Sequence, residues 1–299
     1  MSAQKSLKEK QKKEKKLQKD LNAVRTTLKK QTSIQSKLDE PADTSTKEGK
    51  VVDLADIEML PDNVQEEIAE RDVIFSPNEG PQTDFLAAPE TDVLYGGAAG
   101  GGKSYAMLVD PLRFAHRAAH RALILRRSMP ELRELIDKSR ELYPKAFPGC
   151  KFREVEKIWT FPSGAKLEFG FLERDADVYR YQGQAYSWIG FDEITHLNTE
   201  FSWNYLASRL RTTDSEITPY MRCTANPGGA GATWVKKRYV NPSEPNESFT
   251  GKDGLTRRFI PARLEDNPYL STDGRYEQML KALPEVQRRQ LLEGNWDIT

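Results

Sequence analysis

Val93-Leu94-Tyr95-Gly96-Gly97-Ala98-Ala99-Gly100-Gly101-Gly102-Lys103-Ser104 decides how the rest of the chain is read. The apolar run Val93 to Tyr95 enters like a buried strand. Gly97 to Ser104 fits G-x-x-x-x-G-K-[ST], and Tyr105 to Val109 leaves like a packed helix. Strand, glycine-rich loop and helix in that order form a phosphate-binding loop, the P-loop. The glycines let the backbone wrap a phosphate chain with its N–H groups inward, and the helix N-terminus adds partial positive charge. On this reading Gly97, Gly100, Gly101, Gly102, Lys103 and Ser104 bind nucleotide. Lys103 reaches the β- and γ-phosphates, and Ser104 gives its hydroxyl to Mg²⁺.

Working outward, Ser187-Trp188-Ile189-Gly190-Phe191-Asp192-Glu193 is a second apolar strand, ending in two carboxylates 89 residues after Lys103. Asp192 is expected to hold Mg²⁺ and Glu193 to deprotonate an attacking water. Adjacent strand residues face opposite sides, so both serve only if the strand ends there. Thr218 to Thr224 reads as another strand and runs into Thr224-Ala225-Asn226-Pro227-Gly228-Gly229, a small polar segment placed to sense hydrolysis. Upstream, Gln82 is the candidate reader of an adenine edge, with Phe85 beside the base.

Elsewhere the reading is coarser. Pro111 should break the helix that follows the P-loop. His116 and His120 sit at i, i+4 on its continuation, as a solvated helix end. Arg121 to Arg127 reads as a strand, and Ser128 with Glu131 as a capping box. Phe152–Phe161 and Ala165–Phe171 read as a hairpin about Pro162-Ser163-Gly164. Trp234 to Arg238 is a basic helix, and Arg257 to Ile260 a further strand.

Composition sets limits. The chain has 299 residues, 37% apolar and 30% charged, with no apolar run long enough to span a membrane. Two cysteines are too few for a disulfide framework or a zinc site. Net charge is zero, but residues 1–50 hold 13 Lys and 1 Arg against 7 acids, leaving the remainder at −7. Lys5 to Lys30 carries a partial heptad seam, so residues 1–50 read as a basic arm, helical or disordered, that docks on a partner or nucleic acid. Val51 to Arg71 reads as an amphipathic helix.

The ordered series PQTDFL, GGAAGGGKS, YQGQAYSWIGFDEITH, TANPGG, ATWVKKRYV, RFIPARLEDNPYL and LLEGNWD resembles the ATPase half of a tailed-phage large terminase subunit over residues 75–299. The resemblance implies an ASCE or RecA-like P-loop fold. It also implies Glu193 as catalytic glutamate and Thr224, Ala225 and Asn226 as the coupling motif. It implies ATP and Mg²⁺ as cofactors, and double-stranded DNA, a portal protein and a small terminase subunit as partners. A homo-oligomeric ring in the host cytoplasm follows from the same likeness. Many family members carry an arginine inside the P-loop, where this chain has Ala98 and Ala99. Family members also continue into a nuclease, so DNA cleavage is not expected of this chain.

The expected fold is therefore α/β, a largely parallel sheet with helices on both faces. Residues 51–240 should be the core, 241–299 a helical lid, and 1–50 the arm. The expected reaction is Mg²⁺-dependent ATP hydrolysis driving DNA translocation. A superfamily-2-like helicase fragment and an ATP-binding assembly module without turnover are the alternatives. One lobe needs a neighbour to complete its pocket. Arg180 is the favoured arginine for that trans role, in a loop expected at the strand end opposite the carboxylates. Arg126, Arg127, Arg209 and Arg211 are the other candidates, and pairing with Asp175 or Asp177 is the plain alternative for Arg180.

Overall fold

A computed structural model describes residues 74–271 and 274–298. The basic arm and the Val51–Arg71 helix lie outside the described residues.

Short helix α1 (Pro81–Ala87) leads into β1 (Asp92–Gly97), and α2 (Lys103–Val109) follows the P-loop. Asp110–Phe114 is a 3₁₀ turn, so Pro111 does end the α-helix where its missing N–H requires. Then come β2 (Arg121–Arg126), α3 (Met129–Ala146), β3 (Lys151–Arg153), β4 (Ile158–Thr160) and β5 (Lys166–Phe171). β6 (Trp188–Phe191), α4 (Phe201–Ala207), β7 (Tyr220–Ala225) and α5 (Ala232–Val235) complete the centre. β8 (Ser248–Thr250), β9 (Thr256–Ala262), α6 (Pro268–Ser271), α7 (Arg275–Lys281) and α8 (Glu285–Leu291) close the chain.

The strands form one sheet in the order β3-β4-β5-β2-β6-β7-β1-β9-β8. From β5 to β9 every neighbour is parallel; β3, β4 and β8 pair antiparallel at the edges. Both faces are covered, and the period-two alternation of side chains shows how. Leu123 and Leu125 pack on one face with Ile189, Trp203 of α4 and Val235 of α5. Ala122 and Ile124 pack on the other with Met107 of α2 and Leu135 of α3. Parallel strands buried on both sides read as continuous apolar runs, as Val93 to Tyr95 and Ala122 to Leu125 do.

Four expectations need correction. β9 lies directly beside β1 in the main sheet, so a boundary at residue 240 would cut the core. His120 is not on a solvated helix end: it is 1% exposed, between Pro111 O and Ser187 Oγ at 2.8 Å each. Because Pro111 O can only accept, Nε2 carries the proton, and burial holds the imidazole down to about 4. Ser128 stands at the N-cap of α3 without a side-chain cap bond. The basic helix after β7 is one α-turn followed by a π-turn, Lys236–Val240. That turn delivers Arg238 and Tyr239 to Asp92, which is fully buried at the amino end of β1. Arg257 donates to the same carboxylate at 3.1 Å, so the buried charge is paired and hydrogen-bonded.

Candidate active site

In an open parallel sheet, ligands bind outside the carboxyl ends of the strands. β1, β7, β6 and β2 are consecutive neighbours, and their carboxyl ends carry the P-loop, Thr224-Ala225-Asn226, Asp192-Glu193 and Arg126. The topology thus brings together three motifs far apart in sequence, with Thr224-Ala225-Asn226 between the other two.

The P-loop is held open by its own carbonyls. Lys103 Nζ donates to Ala98 O at 2.5 Å, Asn267 Nδ2 to Gly100 O at 2.5 Å, Tyr95 Oη to Gly101 O at 2.6 Å and Gln82 Nε2 to Gly102 O at 2.9 Å. With these carbonyls engaged, the amides of Gly100 to Ser104 are the ones left to meet a phosphate. Ala98 N and Ala99 N donate in turn to Ala262 O and Leu291 O, at 2.8 and 2.7 Å. Gly97 has no room for a side chain: a Cβ there would meet Ala262 O at 2.3 Å. Gly102 caps α2 in the left-handed region.

This corrects the reading of Gln82. The residue is 3% exposed, its Oε1 accepts from Asn78 N at 2.7 Å, and its Nε2 braces Gly102. Its amide is spent on the loop rather than turned out toward a base, and Phe85 is fully buried against Tyr95.

β6 ends at Phe191, and Glu193 has φ 61° and ψ 55°, a left-handed conformation, so both carboxylates lie beyond the strand end as the two-carboxylate reading required. Such a residue costs on the order of 1 kcal/mol and persists because neighbours hold it. Glu193 N donates to Thr224 Oγ1 at 3.0 Å, Asn226 N donates to Glu193 Oε2 at 3.2 Å, and Asn226 Nδ2 donates to Oε1 at 2.9 Å. Burial raises the Glu193 carboxyl, and Asp192 adds to the rise; Lys103 and the Asn226 amide oppose it. Lys103 is itself buried, which lowers its ammonium, while Glu193 and Asp192 pull it back up. Asp192 is fully buried. Its Oδ1 accepts from the Thr224 hydroxyl, and the Ser104 hydroxyl lies 3.3 Å from its Oδ2.

Ser104 and Asp192 would offer Mg²⁺ two hard oxygen donors, 3.3 Å from one another. Magnesium keeps several waters and takes phosphate oxygens for its remaining positions, so this sparse set fits it. Among the described residues no cluster of three His, Cys, Asp or Glu offers a different metal site.

Ala225 is the last residue of β7, fully buried, and sets Thr224 and Asn226 on either side of itself. Arg180 departs from its expected place. It lies in a 3₁₀ turn, Asp177 is its ion-pair partner at 3.5 Å, and Asp175 instead bonds Thr199 and Ser202. Its Nη2 donates to Phe171 O at 2.8 Å. Phe171 ends β5, so this guanidinium is at the carboxyl edge of the sheet, two strands beyond β6, and not at the opposite end. The arginine that meets an active-site carboxylate is Arg126, on Asp192. Its place at the end of a strand was the only sequence signal for it.

The family model described as Terminase large subunit, T4likevirus-type, N-terminal matches residues 94–299. No curated protein matches. Among solved structures, the large terminase of a thermophilic bacteriophage in complex with ATP-gamma-S is similar at TM-score 0.56 and 17% identity, over 74% of this chain and 53% of that one. The Thermus phage P74-26 large terminase ATPase domain is similar at TM-score 0.52 and 13% identity, over 79% and 98%. The chain thus spans about half the length of the first of these proteins. These structural likenesses bear on the fold alone. With the family model covering most of the chain and its motifs meeting on one sheet edge, the chain belongs to the terminase large-subunit family, T4likevirus type.

Proposed function

We propose that this chain hydrolyses ATP to drive double-stranded viral DNA into a procapsid, working through the portal as part of a ring of identical subunits. The observation that carries the reading is the grip of Asn226, in the coupling segment, on both oxygens of Glu193. A base tied to a neighbouring strand can be released or restrained by whatever moves that strand.

The P-loop amides and Lys103 bind the β- and γ-phosphates. Ser104 and Asp192 would hold Mg²⁺, which would supply charge neutralisation at the phosphates. Glu193 takes a proton from the attacking water. The water oxygen bonds to γ-phosphorus, and the β–γ bridging bond breaks with its electron pair left on ADP. An upward-shifted carboxyl is a stronger base, which suits this task. Asn226, by donating to the carboxylate, weakens that base until it lets go. Arg180, exposed on the same sheet edge, is the proposed arginine for a neighbour's site. Small terminase subunit and DNA contacts, and action in the host cytoplasm, belong to the same proposal.

The test is the rate of ATP hydrolysis with and without DNA and portal-bearing procapsids, for the native chain and Lys103→Ala. Stimulation by both additions, lost in the variant, is expected. Stimulation by DNA alone would favour the helicase reading. Nucleotide binding without turnover under every condition would favour the assembly module.

A further inference from the structure

Arg126 ends β2, the strand beside β6. Its Nε donates to Asp192 Oδ2 at 2.8 Å, and its Nη2 donates to the same oxygen. Nη1 reaches Glu131 O in the first turn of α3 at 3.3 Å. The Ser104 hydroxyl points at that same Oδ2, while Thr224 holds Oδ1. Asp192 therefore offers one oxygen to a cation, and two cations have a claim on it. One is the guanidinium; the other is the Mg²⁺ that Ser104 and Asp192 are built to hold.

The two cannot share it freely. The Arg126 side chain is 13% exposed and that of Asp192 fully buried, so solvent screens the repulsion poorly. Asp192 is fixed by Thr224 and by its backbone N–H, which donates to Leu125 O at 2.9 Å. Arg126 is the partner with more reach, since its charge rides on a long stem at a strand end and its one tie away from Asp192 is Nη1 on Glu131 O at 3.3 Å. A metal held by Ser104 and Asp192 would bring a nucleotide's phosphates to the same carboxylate, and their negative charge would offer the displaced guanidinium a new partner.

We propose that Arg126 is an exchangeable counter-ion acting in cis. It neutralises Asp192 until the metal–nucleotide enters, then gives up Oδ2 and turns to the terminal phosphate. It thereby supplies, from the strand next door, the guanidinium that Ala98 and Ala99 leave out of the P-loop. Arg126 is a positioning residue for Asp192 before exchange and a phosphate contact after it. The inference rests on the ATP-hydrolysing reading of the site.

The test measures Mn²⁺ binding by electron paramagnetic resonance, with ADP or ATPγS, on the full chain, Arg126→Ala and Arg126→Lys. Removing the competitor should tighten Mn²⁺ binding with ADP severalfold in Arg126→Ala. Removing the phosphate contact should cut the native preference for ATPγS over ADP by about tenfold, and Arg126→Lys should recover part of it. Equal weakening with both nucleotides, with a lowered melting temperature, would show Arg126 to be only a structural tie and overturn the proposal. Unchanged affinities in Arg126→Ala would overturn it too. A native chain that binds neither nucleotide would sink the underlying reading of the site instead.

Discussion

Replacing Glu193 with glutamine should abolish hydrolysis and, at the same time, make the folded chain more stable. Asn226 Oδ1 is buried with no hydrogen-bond partner, because the Asn226 amide group must aim Nδ2 at the Glu193 carboxylate. In Glu193→Gln the new amide can accept from Asn226 N through its oxygen. If the Asn226 side chain then flips, its Oδ1 accepts from the new NH₂ and its Nδ2 takes over the unpartnered place, so the hydrogen-bond count is unchanged. The gain is the loss of a buried charge next to Asp192, about 1.4 kcal/mol for each pKa unit by which the fold raises the carboxyl. The pH dependence has a definite sign. The folded Glu193 carboxyl is raised, so the folded chain holds this proton more tightly than the unfolded chain does. That contribution to stability is present below the unfolded pKa of about 4.3 and is lost as pH rises through the raised folded value. At neutral pH the native chain is at its disadvantage, and the variant should melt higher by roughly 2–4 °C per kcal/mol gained. Near pH 4 a protonated Glu193 can itself donate to Asn226 Oδ1, so the two curves should converge. Differential scanning calorimetry in EDTA, without nucleotide, at neutral and acid pH reads this directly. A variant melting at or below the native chain at neutral pH would refute the latch geometry, and retained turnover would refute Glu193 as the base.

Three further outcomes follow from the same structure. Gly190→Ala would put a Cβ 2.1 Å from Trp188 Cη2 and 2.6 Å from Met107 Sδ, so denaturant titration should show a loss of roughly 1–3 kcal/mol. His120, held neutral by burial and lowered to about 4, should cost stability as pH falls from about 6.5 toward 4, by up to ~3 kcal/mol; His120→Asn should flatten that slope, and an unchanged slope would count against it. Arg180→Ala and Glu193→Gln, each inactive alone, should partly restore hydrolysis when mixed in one ring, and no recovery in rings shown to be mixed would rule out the trans role.

Much of this was legible because it is local. A strand that must be buried on both faces is apolar throughout, and a loop that must wrap phosphate is glycine, so β1, the P-loop and the Asp192 strand announce themselves. What the sequence hid is contact across distance. Gln82 looks the same whether it faces a base or Gly102; only the fold of α1 back onto α2 decides. Arg126 is one arginine among several until β2 is laid beside β6. His120 was misread because the 3₁₀ turn at Asp110–Phe114 ended the helix that would have carried it to the surface. The π-turn at Lys236–Val240 has no local sequence code at all; it exists to bring Arg238 to Asp92.

The P-loop borrows two of its anchors from far downstream: Ala99 N rests on Leu291 O and Gly100 O on Asn267. Gly294 and Trp296 also press against Gly97 and Gly96. Any shortened version of this protein must therefore keep α8 to keep its P-loop. A fragment cut after β9 would retain every chemical residue named above and still present a slack cradle, with two of its outward bonds given over to water. Distance along the gene is no guide to what the nucleotide site requires.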